Sequence, residues 1–183
     1  EFAGGKIAFK DVFIELNKLP IKGNVRVGHF KEPLRLEALT SSKYITFMER
    51  SLVTSMFADR NTGAMYHTTF GDRLAFQSGV FREGDSFGND KTANNNVNIT
   101  SRVTYLAINN EGKLLHLGAS NSLRKNNDNT YDLSTKAENH LGNKLIDAKF
   151  EDITESNVFG VELAYINGSL SLQGEYLQTT LIG

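Results

Sequence analysis

Two cations stand out in "SSKYITFMERSLVTSMF", residues 41–57: Lys43 and Arg50. An ammonium and a guanidinium on one short segment can capture an anion. The planar fork of arginine holds two oxygens at once, and lysine acts as a point charge. Further arginines, Arg26, Arg102 and Arg124, fall at polar positions of alternating segments, and Arg60 follows the 41–57 stretch. Other chemistry finds no support. The four histidines, His29, His67, His116 and His140, form neither an HExxH motif nor an i, i+4 pair, and cysteine is absent, so no metal site, redox motif or disulfide is indicated. There is no GxSxG, no P-loop and no GxGxxG. Asp85, Asn89 and Asp90 make an acidic loop without the spacing of a calcium loop, and a solvated surface loop is the expected reading. No catalytic residue and no cofactor are expected.

The elements that must position these cations are strands. Ten segments read as alternating: 8–18, 23–31, 62–70, 73–82, 97–106, 114–124, 130–138, 144–151, 159–165 and 169–178. In 97–106, Val97, Ile99, Val103 and Tyr105 share one face, and Asn98, Thr100, Arg102 and Thr104 share the other. In 114–124, Leu115, Leu117, Ala119 and Leu123 oppose His116, Ser120, Ser122 and Arg124. Odd-to-even connections are short, and Asn167-Gly168 carries the strongest hairpin signal. Of the even-to-odd connections, 32–61 and 83–96 are long, while two others are short. Short turns at one end and long polar loops at the other are the plan of an outer-membrane barrel. Large aromatics near strand ends (Phe70, Tyr105, Tyr131, Tyr165, Tyr176) suit an interfacial girdle. Periodicity and loops leave a membrane barrel and a soluble β-barrel or sandwich both open.

Composition bounds the rest. The 183 residues suit one domain, with 39 % hydrophobic residues and net charge −1, so no global field points to nucleic acid. No run of 18 apolar residues exists, but a transmembrane strand needs only about 9–11 residues with alternate ones apolar. The chain opens on "EFAGG" without Met or signal peptide and reads as a processed or truncated product.

Residues 41–57 break the strand period. Tyr44, Met48, Leu52 and Met56 recur at i, i+4, i+8 and i+12, which predicts an amphipathic helix capped by Ser41 or Ser42. Lys43 and Arg50, seven residues apart, would share a face about 10 Å apart along the axis. Inside a barrel such a helix narrows the pore with positive charge; on the rim its cations are merely solvated.

Here the residues resemble a known family. "VRVGHFKEPLRLEALTSSKYITFMERS", followed by "RNTGAMYH", is similar to the signature region of the phosphate-selective porin O/P family of Gram-negative outer membranes. "LLHLGASNSLRK", "AENHL" and "FGVELAYINGSLSLQGEY" resemble later blocks of that family in the same order. The resemblance implies an all-β fold: an antiparallel transmembrane barrel, about ten strands of a sixteen-stranded homotrimeric porin, embedded in outer-membrane lipid, with residues 1–183 belonging to its single barrel domain. It implies that residues 34–60 are a constriction loop folded into the lumen, carrying Lys43 and Arg50, with Arg60 at its exit, and that such basic residues bind phosphate. The chain is shorter than sixteen strands require and ends at "LIG" without a terminal aromatic, as a central piece of such a barrel would. Asp11, Glu15, Asp132, Glu138, Glu162 and Glu175 counter the arginines on the polar faces, so a strongly electropositive lumen is not expected. The function expected is a diffusion porin for inorganic anions, with phosphate or polyphosphate as the candidate solute. The alternative is a non-conducting barrel or sandwich that serves as a binding or assembly partner.

The loop plan makes a prediction for intact cells: protease added outside should cut within 84–96 and spare the turn at 167–168, and the reverse pattern would invert the topology.

Overall fold

A computed structural model describes the chain except residues 1, 4, 5, 8, 21, 56, 58, 59, 85–96, 127, 128 and 137–142. Two-residue strands β1 (Phe2–Ala3) and β2 (Lys6–Ile7) pair with each other. The body is one antiparallel sheet of eight strands: β3 (Val12–Leu19), β4 (Gly23–Lys31), β5 (Arg60–Phe70), β6 (Leu74–Arg82), β7 (Asn98–Asn110), β8 (Lys113–Lys125), β11 (Glu155–Asn167) and β12 (Leu170–Ile182). Each of these strands pairs with its neighbours in that order, and β8 lies directly beside β11. The intervening β9 (Thr130–Lys136) and β10 (Lys144–Glu151) pair only with each other among the described residues. Ten alternating segments are therefore strands, but two of them form a hairpin outside the main sheet.

That arrangement settles the loop count. The chain turns at one end of the sheet over residues 20–22, 71–73, 111–112 and 168–169, and adjacent turns touch there: the Gly168 N–H donates to the Gly112 carbonyl at 2.9 Å. The strand ends at the other end of the sheet are joined by three long stretches of sequence, 32–59, 83–97 and 126–154, the last containing the β9–β10 hairpin. The two short loop-side connections seen in the sequence belong to this single excursion. The final turn is offset by one residue from the Asn167-Gly168 reading. Asn167 still pairs with Leu170, and the two-residue loop is Gly168-Ser169, with Gly168 at φ 58. Most of the loop expected over 84–96, and most of the turn expected at 140–143, lie outside the described residues.

The sheet is inside-out by the standard of a water-soluble protein. Ile99, Val103 and Tyr105 on β7 are 48 %, 41 % and 44 % exposed, whereas Thr100 and Ser122, opposite each other on β7 and β8, are at 0 %. Val161, Leu163, Leu117 and Leu123 continue the exposed apolar face. The chain shows 11707 Å² to its surroundings, against about 8,800 Å² for a compact globular protein of its mass. Burying polar hydroxyls while exposing rows of Val, Leu and Ile would destabilise a protein in water; beside lipid the same pattern is favourable. Two glycines let the polar face accept a bulky ring. A Cβ at Gly63 would stand 2.7 Å from the Phe81 ring and one at Gly79 2.8 Å from it, so Phe81 lies flat across both strands. Phe81, Phe30 and Met65 make a small apolar cluster on the inner face.

The helix expected over 41–57 is not formed. Among the described residues of the 32–59 connection only two single turns are helical, α1 (Leu36–Leu39) and α2 (Leu52–Ser55). The stripe that predicted the helix finds no surface to cover: Tyr44 is 80 % exposed and Met48 98 %. Met56 lies outside the described residues. Side chains instead bond the backbone of distant parts of the loop, which competes with a helical ladder. The Glu37 carboxylate accepts from the Ser51 N–H at 3.1 Å and the Ser51 hydroxyl at 2.6 Å, and Arg50 takes two carbonyls, those of Glu37 and Thr40, 13 and 10 residues back. No helix among the described residues is long and apolar enough to cross a membrane, which leaves strand-crossing untouched.

The alternation can be checked directly. In the full-length protein, a spin label at Val103 should be quenched by lipid-soluble oxygen and one at Arg102 by a water-soluble relaxant; equal response at both would mean that β7 does not separate lipid from water.

Candidate functional site

Three arginines that the alternation put on the polar face, Arg26, Arg102 and Arg124, are each held by a carboxylate. Arg26 on β4 donates from Nε to Glu15 on β3 at 2.6 Å, and its guanidinium lies 4.1 Å from the Phe13 ring centroid. His67 on β5 approaches the same Glu15 carboxylate at 3.4 Å. Arg102 on β7 donates two N–H groups to Glu162 on β11, at 3.2 and 2.5 Å, and a third to Gln77 on β6 at 3.2 Å. His116 on β8 reaches Glu162 at 2.7 Å. Gly118 beside it gives the carboxylate room, since a Cβ there would lie 2.5 Å from Glu162 Oε1. These are bridges across strands whose side chains share a face by register: Gly118 is opposite Glu162, and Gln77 is opposite Arg102. Arg124 on β8 divides its donors between Glu32 at 2.9 Å and Glu83 at 3.2 Å. Arg60, at the loop exit, forms a forked pair with Asp11 at 3.2 and 3.0 Å.

The loop lies on this polar face. Its root is Glu32, whose carboxylate accepts from Asn61 on β5, Thr100 on β7 and Arg124 on β8 while fully buried. Pro33 and Leu34 follow, both buried, and the Leu34 carbonyl accepts from the Ser120 hydroxyl of β8 at 2.7 Å. Farther on, the Glu37 N–H donates to Glu175 on β12 at 2.5 Å. The chain between β4 and β5 thus crosses the inner wall to the far strand of the sheet. From the other side, β9 packs on α2, where the Thr135 hydroxyl meets the Leu52 carbonyl at 3.5 Å. Between loop and β12 sits a cavity of about 410 Å³, bordered by Thr46, Phe47, Glu49 and Glu175 among others.

Within the loop two arginines act on backbone. Buried Arg35 donates to the Val53 carbonyl at 3.1 Å and the Phe57 carbonyl at 3.4 Å, joining root to exit. Arg50 donates to the Glu37 carbonyl at 3.1 Å and the Thr40 carbonyl at 2.8 Å. Carbonyls fix a guanidinium without cancelling its charge. Lys43 is exposed, and among the described residues neither Lys43 nor Arg50 forms an ion pair. The six cations singled out from the sequence therefore divide: Arg26, Arg60, Arg102 and Arg124 face carboxylates, and Lys43 and Arg50 do not. Among the described residues no group of three metal-ligating side chains converges. Sequence reasoning missed Glu32 and Arg35. The one available signal was an acid beside Pro33 at the close of β4, where no strand partner could be inferred.

An antiparallel wall, apolar on one face and polar on the other, with a loop laid on its polar side, defines the class: part of an all-β, barrel-like membrane wall. The match to known sequences is specific, and the chain belongs to the family described as phosphate-selective porin O and P, matched over residues 1–183. It is 26 % identical to Porin O of Pseudomonas aeruginosa, with 86 % of this chain and 41 % of Porin O covered. The chain thus spans well under half the length of that relative. Family membership places it in the outer membrane of a Gram-negative bacterium.

The Glu162 cluster yields a stability prediction. Glu162→Ala leaves Arg102, a largely buried cation, with Gln77 alone and should lower unfolding stability in detergent by about 3 kcal/mol. Glu162→Gln should cost less, and a denaturant titration of both variants reads the difference.

Proposed function

We propose that the complete protein is an outer-membrane diffusion porin that prefers anions, with phosphate or polyphosphate as solute, and that it performs no covalent chemistry. Residues 34–60 are its constriction loop, and Lys43 and Arg50 meet the anion there. One observation carries this reading: the wall arginines Arg26, Arg102 and Arg124 are compensated by carboxylates, and Lys43 and Arg50 in the loop are not. An anion near Arg26 or Arg102 meets a paired charge and gains little. Near Arg50 it meets a guanidinium already oriented by two carbonyls, with Nη1 still free to donate. Porin O is named for the same class of channel, and the family description names phosphate. A homotrimer in lipid is the assembly that the family resemblance supports.

A charge-assisted hydrogen bond contributes about 1.5–3 kcal/mol. At about 1.4 kcal/mol per decade, Lys43→Ala should weaken phosphate block of chloride current by roughly tenfold. Arg50→Ala should weaken it by about one to two decades and also alter conductance, because it frees the Glu37 and Thr40 carbonyls. Single-channel recording of the full-length protein in planar bilayers makes the comparison. No conductance in wild type removes the porin reading, and unchanged block in both variants removes the anion site from the loop.

A further inference from the structure

We infer that Glu32 is a positioning residue for permeation: its carboxylate latches the loop root to the wall and so sets where Lys43 and Arg50 stand. The inference rests on the proposal that those cations meet the anion. Arg124, expected to line the pore, belongs in this account to the latch.

The geometry is specific to this one carboxylate. Glu32 is the first residue after β4, where the chain leaves the sheet, and its side chain has no exposure. Oε1 accepts from Asn61 Nδ2 at 2.5 Å, on the strand by which the loop re-enters the sheet. Oε2 accepts from Thr100 Oγ1 at 2.6 Å and Arg124 Nη1 at 2.9 Å, on β7 and β8. The side chain therefore ties the departing strand to its return strand and to two strands farther round the wall. Its partners are tied in turn: Thr100 Oγ1 lies 2.8 Å from Ser122 Oγ, and Asn61 Oδ1 accepts from the Gly84 N–H at 3.0 Å. A buried carboxylate is tolerated only when such donors satisfy it, and removing it takes the acceptor from Asn61 Nδ2 and leaves largely buried Arg124 with one carboxylate, Glu83, beneath the loop. Two residues on, the Leu34 carbonyl takes the Ser120 hydroxyl, so the root is fixed before the chain crosses the lumen. Glu83 binds the same Arg124 from the rim and is 38 % exposed, but among the described contacts it does not touch the loop root. It therefore separates the latch from the mere pairing of Arg124.

The test uses the full-length porin with Glu32→Gln, Glu32→Ala and Glu83→Gln. Heat-modifiable migration on gels reports whether the barrel has folded, and inorganic phosphate block of chloride current reports the loop. Folded Glu32→Gln should need about tenfold more phosphate for half block and should show altered conductance. Glu32→Ala should show the larger change, and Glu83→Gln should match wild type. With Lys43→Cys added to wild type and to each variant, the rate of reaction with a charged thiol reagent should change when Glu32 is altered and stay at the wild-type rate in Glu83→Gln. Wild-type block with an unchanged thiol rate in folded Glu32→Gln and Glu32→Ala overturns the latch, as does an equal effect of Glu83→Gln. A wild type without anion preference overturns the functional reading instead, and the thiol rates then still decide the latch. If Glu32→Ala does not fold, Glu32→Gln alone decides it.

Discussion

A carboxylate with no access to solvent must be met by donors, and Glu32 is met by three strands. Much of the site follows from that requirement. The loop root cannot leave the wall without stranding Asn61, Thr100 and Arg124 as well as the acid itself. With the root fixed, Leu34 reaches Ser120, and Glu37 reaches Glu175 across the sheet. Arg35 and Arg50 then fold the remaining chain on itself through carbonyls. Very little helix is needed, because side chains supply the bonds that a helix would have made.

The wall meets the complementary constraint. Its outer side offers apolar side chains to a medium that cannot hydrogen-bond, so every backbone group must pair within the sheet. Its inner side carries charge, and at this density unpaired arginines would repel one another. Glu15, Glu162 and the pair Glu32 and Glu83 remove that repulsion at Arg26, Arg102 and Arg124. Charge on the wall is thus engaged in pairing between strands, whereas Lys43 and Arg50 on the loop face no carboxylate among the described residues.

Strand positions and their two faces were legible in the sequence because a period of two is local: Ile99, Val103 and Tyr105 declare their side without knowledge of a partner. The acids opposing the arginines were also visible. Which acid meets which arginine was not, since Glu162 is sixty residues from Arg102 and pairing depends on register across β8. The 41–57 segment misled for a related reason. Tyr44, Met48 and Leu52 have helical spacing, but spacing becomes a helix only when the stripe has something to cover, and Tyr44 and Met48 stay exposed. β9 and β10 alternate like wall strands, and nothing local says that β8 will choose β11 instead. The family resemblance, by contrast, was carried by contiguous blocks and needed no contact map.

That choice of partner makes the excursion modular. Lys125 and Glu155 are directly opposed, so the chain leaves the wall and returns to it at one point, and residues 126–154 form a closed loop hung from a paired step. The entropy of closing such a loop grows only with the logarithm of its length, about 0.6 kcal/mol per doubling. The wall is therefore nearly indifferent to how long the excursion is. Insertions and deletions there change what rests on α2 without shifting a single rung of the β8–β11 ladder, which leaves evolution free to reshape that end of the wall while the strands stay in register.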